Sequence, residues 1–123
     1  MLEIKNLVKK YGKFTAVNDL NLTVPESSIF GFVGPNGAGK TTTMKIMSGL
    51  LKATSGNVMI DGIDVTKKPR ALKENIGYMP DFFGVYDDLK VMEYMDFYAG
   101  TYYIPYEQRE ELINNLLEIV DLS

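Results

Sequence analysis

The chain contains no cysteine and no histidine. The first absence excludes a disulfide framework, a thiolate metal site and a thiol nucleophile. The second removes the side chain that most often acts as a base near neutral pH. Catalysis by this sequence would have to use carboxylates, lysine or a bound metal. Long apolar runs are also missing: none approaches the roughly 20 residues needed to span a bilayer. The opening MLEIKNLVKK is not followed by the apolar core of a signal peptide. These absences read as a soluble, cytoplasmic chain. Its 123 residues, 46% hydrophobic and 24% charged, can bury one modest core and predict one domain or part of one.

The net charge of −3 is unevenly spread. Residues 1–80 carry 11 basic and 6 acidic side chains, whereas residues 81–123 carry 2 and 10. The basic part suits an anion. Its lysines are scattered, with Lys9-Lys10 and Lys67-Lys68 as the close pairs, so no nucleic acid partner is expected.

Apolar and polar residues alternate over residues 2–7 and, less cleanly, over 17–24. This predicts two half-exposed antiparallel strands joined through a turn at Tyr11, Gly12 and Lys13. Residues 28–33 form a short apolar run that stops at Gly34 and Pro35, the pattern of a buried strand ending at a loop. A helix is expected from about Gly39 to Gly49, a strand over 57–60 turning at Asp61-Gly62, a short helix over 69–75 and a short strand over 76–79 halted by Pro80. From Lys90 the spacing becomes helical. Val91, Met95, Tyr98 and Tyr102 mark one amphipathic helix, and Leu112, Leu116, Ile119 and Val120 a second. No repeat, low-complexity stretch or long linker divides the chain.

Residues 34–42 read GPNGAGKTT, which matches the P-loop spacing, with an expected strand before it and a helix after it. Gly37 and Gly39 can take positive φ, letting consecutive N–H groups converge on one concavity that suits an anion. A helix beginning there adds the positive end of its dipole. Lys40 supplies a point charge for the β and γ phosphates, and the Thr41 hydroxyl can ligate Mg²⁺. Gly34, Asn36, Gly37, Ala38, Gly39, Lys40, Thr41 and Thr42 are therefore the candidate nucleotide-binding residues. The loop alone leaves ATPases, GTPases and small-molecule kinases open.

The order Tyr11-Gly12, then GPNGAGKTT, then SGNVMIDG at 55–62, then IGYMP at 76–80 resembles the ATP-binding cassette family across essentially the whole chain. The resemblance implies an α/β P-loop NTPase (RecA-like) core fragment: an antiparallel β part over 1–27, a P-loop core over 28–80, and a Q-loop-like segment with the start of a helical subdomain over 81–123. It also implies that Tyr11 stacks on adenine, a contact of about 1–3 kcal/mol. Val17 would touch the base, although it could equally be a core valine. IGYMPD resembles the family's Q-loop, but Asp81 stands where a glutamine is usual. A carboxylate could ligate Mg²⁺, yet it is shorter and cannot donate a hydrogen bond. Residues 58–61, VMID, have the look of a Walker B strand; Asp61-Gly62 instead reads as a tight turn. The aromatics Tyr94, Phe97, Tyr98, Tyr102, Tyr103 and Tyr106 could form a docking face or ordinary helix packing.

By the same resemblance, ATP and Mg²⁺ are the cofactors. The expected partners are a second ATP-binding cassette domain, identical or different, and a membrane-spanning permease at the inner face of the membrane. The expected activity is ATP hydrolysis driving transport in the full-length dimer. The LSGGQ signature, the Walker B aspartate with its glutamate base and the switch histidine do not occur in residues 1–123. These residues are accordingly expected to bind nucleotide without hydrolysing it, with apolar sheet surface left exposed. A non-transport cassette ATPase in translation, repair or assembly, and a stand-alone nucleotide-binding module, are the alternatives.

Overall fold

The computed structural model describes residues 1–81 and 84–123. Contacts group them into two compact units, residues 1–78 and 79–123. In the first unit, β1 (Leu2–Tyr11), β2 (Phe14–Val24), β3 (Ser55–Ile60) and β4 (Ile63–Asp64) form an antiparallel sheet in the order β2-β1-β3-β4. The expected antiparallel opening is present. Alternation predicts a strand only to Leu7, but β1 continues to Tyr11, where its pairing with Phe14 closes the hairpin.

The alternation fails after Ile4 for a physical reason. Buried positions in β1 are Ile4 and Leu7, three apart, and in β2 the buried Val17 is three residues from the partly buried Leu20. Between them lie extra residues: Ile4 pairs with Leu22 and Leu7 with Leu20, then Lys9 pairs with Val17, so a bulge in β1 is offset by one in β2. Asn6 and Asp19 take left-handed backbone at the two bulges, with φ of 50° and 52°. They are tied together. The Asn6 amide donates to Asp19 Oδ1 at 2.9 Å, the Asn6 N–H donates to Asn21 Oδ1 at 3.0 Å, and the Asn21 amide donates to the Asp19 carbonyl at 3.1 Å. β3 follows the same break with Gly56, φ 82°, packed so tightly on β1 that a Cβ there would lie 2.2 Å from the Asn6 carbonyl oxygen.

One face of the sheet carries the core. Ile4, Leu7, Val17 and Val58 pack with Ile46 from α1 (Lys40–Met47) and with Val65 and Leu72 from the segment after β4. α1 ends as the sequence predicts: Gly49, φ 75°, lets the Leu50 N–H reach the Lys45 carbonyl at 2.9 Å and the Gly49 N–H reach Ile46 at 3.1 Å, a Schellman closure. Asp61 and Gly62, φ 47° and 81°, form the two-residue turn between β3 and β4, so VMID is a hairpin arm as expected. The Met1 amine donates to Asp61 Oδ1 at 2.6 Å and lies 3.8 Å from Glu26, which ties the start of β1 to this turn.

Three expectations are corrected. Residues 28–33 and 76–79, predicted as strands, have no strand pairing, and Ile29, Val33 and Met79 are exposed. A strand exists by its ladder, and among the described residues no neighbouring strand bonds to either segment. The helix expected over 69–75 is a single 3₁₀ turn, Pro69–Leu72. Its Leu72 is fully buried, so the turn serves mainly to plug the core.

In the second unit, α2 (Val91–Thr101) and α3 (Tyr106–Ile119) form the two expected amphipathic helices. The Glu93 carboxylate accepts from the Lys90 N–H at 2.8 Å and so satisfies one orphan donor at the start of α2. Ala99 and Ile113 are the buried apolar residues here. Arg109 on α3 donates from Nε to the Ile104 carbonyl at 2.9 Å and from Nη1 to Asp96 on α2 at 3.4 Å, joining the helices through the loop. Tyr94 and Tyr98 pack ring to ring at 4.9 Å, while Phe97, Tyr103 and Tyr106 are exposed. Packing thus accounts for part of the aromatic group.

Two predictions follow from the β sheet. Gly56→Ala forces a methyl into backbone at an unfavourable φ and should destabilise by at least about 1–3 kcal/mol. Gly62→Ala, which shares the φ but meets nothing within 4 Å, should lose less. Urea midpoints measure both, and equal losses would contradict the close approach. The Met1 ammonium is held above its ordinary value of 8.0, first by its hydrogen bond to Asp61. Its contribution to stability is therefore complete below that ordinary value and fades as pH rises through the raised one. Asp61→Asn should bring the amine's NMR titration back down.

Candidate nucleotide-binding loop

The loop is built from two left-handed glycines and one turn. The Ala38 N–H donates to the Pro35 carbonyl at 3.1 Å, closing a β-turn with Asn36 and Gly37 at its centre; Gly37, φ 83°, sits where a type II turn requires positive φ. Gly39, φ 89°, is the cap of α1 and is also the tightest point of the site. A Cβ there would lie 2.4 Å from the Ala16 carbonyl oxygen and 3.4 Å from Val17 Cγ2. The loop-to-helix junction thus rests directly on β2.

The start of α1 is electrostatically open. No side chain caps it and no acidic residue lies in its first turn. Its N–H groups and dipole are therefore unneutralised by the helix's own residues, which suits an external anion. Thr43 is turned away: it is buried, and its hydroxyl donates to the Gly39 carbonyl at 2.8 Å. Thr42 is half-buried, and Thr41, the residue the spacing selects for Mg²⁺, is exposed.

Lys40 folds back over the loop. Its Nζ donates to the Gly34 carbonyl and, at 3.3 Å, to that of Pro35. Its stem covers Gly34, whose would-be Cβ meets Lys40 Cδ at 3.6 Å. The ammonium is thereby stationed beside the turn, an arrangement that spacing alone did not reveal. The Ala16 carbonyl against Gly39 was equally invisible in the sequence, since a backbone oxygen leaves no residue signature.

The other candidates are placed as follows. Tyr11 ends β1 about half exposed, with Lys9 Nζ 5.0 Å from its ring centroid on one face. Val17 is buried in the core beside Gly39. Asp81 is exposed and belongs to the second unit, next to residues outside the described set. Among the described residues no group of three or more acidic side chains could hold a metal by itself, so the donor set fits Mg²⁺ only as a companion of bound phosphates.

Comparison with known proteins identifies the family of the chain. The family model described as ABC transporter matches residues 17–123. The probable multidrug ABC transporter ATP-binding protein YbhF of Escherichia coli (strain K12) is 38% identical over 123 residues, all of this chain and 21% of that protein. The linearmycin resistance ATP-binding protein LnrL of Bacillus subtilis (strain 168) is 33% identical over 123 residues, all of this chain and 40% of that protein. The chain therefore spans well under half of these relatives. Among solved structures, the dimeric bacterial ABC transporter cassette MJ0796 superposes with a TM-score of 0.86 at 26% identity, over 100% of this chain and 58% of that one. A dimeric post-hydrolysis state of the same cassette, bound to ADP and Pi, gives 0.85 at 26% identity and the same coverage. An antiparallel sheet joined through a glycine-rich loop to an uncapped helix, matched in sequence and in three dimensions, places this chain in the ABC transporter family.

Proposed function

We propose that residues 34–42 bind the phosphates of Mg-ATP, and that the full-length protein is the ATPase subunit of a transporter, hydrolysing ATP to drive movement across a membrane. The observation that carries this reading is the uncapped, acid-free start of α1 behind two left-handed glycines, with a lysine ammonium held at the loop. The loop's N–H groups and the helix end hold negative charge. Lys40 exchanges carbonyl oxygens for β and γ phosphate oxygens and stabilises charge on them. Thr41 offers a hydroxyl to Mg²⁺, and the resemblance extends that role to Asp81. Tyr11, half exposed at the end of β1, receives the adenine, while Val17 backs the loop from the core. Bound nucleotide supplies the reactive phosphoanhydride. None of these residues is assigned as general base.

Further parts of the reading rest on relatives. The dimeric MJ0796 structures, one of them bound to ADP and Pi, favour a second cassette as partner, and the transport proteins among the relatives favour a permease at the cytoplasmic face of a membrane. The two compact units are read as portions of one such domain. No helix of the described residues is long and apolar enough to cross a membrane, which fits a separate membrane-spanning partner.

Lys40→Ala should weaken Mg-ATP binding by about 10- to 150-fold, the range of one charge-assisted hydrogen bond. Tyr11→Ala should cost about 1–3 kcal/mol of affinity if the ring stacks on the base. Equilibrium binding with fluorescent ATP, competed by ATP and GTP, reads both; wild-type affinity in Lys40→Ala would end the phosphate assignment. Residues 1–123 alone should show no sustained Mg-dependent turnover, and turnover abolished by Lys40→Ala would show that a base has been overlooked.

A further inference from the structure

We infer that Asn36 is a site of spontaneous covalent modification, deamidation through a cyclic imide formed with Gly37, and that it converts the loop from anion-attracting to anion-repelling. Of the chain's eight asparagines, Asn36 alone is followed by glycine. The missing Cβ matters because the Gly37 nitrogen must approach the Asn36 side-chain carbonyl carbon, and glycine carries no side chain to hinder that approach. Both residues are exposed. Neither the Asn36 side-chain amide nor the Gly37 N–H has a hydrogen-bond partner among the described residues, so the nucleophile is unengaged. Ring closure requires rotation about the Asn36 backbone, and the Ala38-to-Pro35 hydrogen bond at 3.1 Å is what spans that turn.

The other asparagines lack this combination. Asn6 and Asn21 are held in the bulge network, and Asn57 lies in β3. Asn114 and Asn115 sit within α3, where the following N–H is committed to the helix. Asn18 and Asn75 are followed by Asp19 and Ile76, whose side chains crowd the attacking nitrogen.

The chemistry balances with water alone. The Gly37 amide nitrogen, its proton lost to solvent base, forms a bond to Asn36 Cγ; the Cγ–Nδ2 bond breaks, and ammonia leaves with a proton taken from solvent. Water then opens the five-membered imide at either carbonyl. One opening gives an aspartate, the other an isoaspartate whose backbone is longer by a methylene. Both put a carboxylate at the centre of the turn, beside the acid-free helix end. A negative charge there repels phosphate, and the isoaspartate also displaces Gly37. A nucleotide gripping the loop would resist the rotation that ring closure needs, so the empty loop is the vulnerable one. This consequence rests on the nucleotide-binding reading; the modification itself does not.

The full-length protein, incubated in warm, mildly alkaline buffer, tests both parts by peptide mapping with mass spectrometry and by isoaspartate-specific methyl transfer. Acid forms should accumulate at position 36 at least several-fold faster than at any other asparagine aligned with this stretch, and Asn36→Gln should remove the signal from that peptide. Conversion at position 36 no faster than at those other sites would overturn the proposal. Added Mg-ATP should slow the conversion, and the converted fraction should be depleted from material retained on an ATP resin. Fast conversion indifferent to Mg-ATP, with no depletion, would sustain the modification site and instead count against the nucleotide-binding reading.

Discussion

The contact between the Gly39 backbone and the Ala16 carbonyl is the constraint on which the rest of the site depends. Loop, helix and sheet meet where there is no room for a single methyl group, the would-be Cβ lying 2.4 Å from that oxygen. With glycine in left-handed backbone, α1 starts directly above β2, Ile46 joins the core that holds Val17, and no side chain caps the helix N–H groups. Burial of Ile46 and Thr43 then fixes which face of α1 is inward, and so leaves Thr41 exposed. The anion site is thus a by-product of how a helix is anchored to a sheet. Its charge comes from backbone and one lysine, which explains how a chain of net negative charge can attract phosphate.

Much of this was legible in residue order. The glycines and lysine of GPNGAGKTT predicted the loop and the helix, Gly49 its end, Asp61-Gly62 a turn, and the spacing of Val91 to Tyr102 and Leu112 to Val120 two helices. Those signals are local: each concerns residues a few positions apart whose backbone preferences are strong. What was not legible depends on partners distant in sequence. The strands predicted over 28–33 and 76–79 have the right side chains, but a strand is defined by its neighbour, and apolar runs say nothing of whether one is present. The bulges at Asn6 and Asp19 hid for a related reason. The insertion in β1 is offset by one in β2 before a further shift between Lys9 and Lys10, leaving a broken alternation that reads as noise until Leu7 and Val17 are seen in the same core. β4 is too short for any pattern to register.

The second unit shows how polar contacts can organise a small helical pair. Ala99 and Ile113 bury little area, and many apolar side chains of α2 and α3 remain exposed. Arg109 compensates by binding a loop carbonyl, facing Asp96 and lying 5.8 Å from the Tyr106 ring, so that one planar cation addresses α2, the loop and α3 together. A lysine there could supply the charge but not the fork, since its three donors sit on one atom.

The bulges of β1 and β2 have a further effect at the margin of the sheet. β2 is an outer strand of 11 residues, long enough to template pairing with another chain, while β4 on the opposite margin is only two residues long. The left-handed backbone at Asp19 and the register shifts beside it break the regular ladder midway along β2. Neither margin then presents a long, flat, unbroken ladder, so the same kinks that reposition Leu7 and Val17 also guard the sheet against edge-to-edge aggregation.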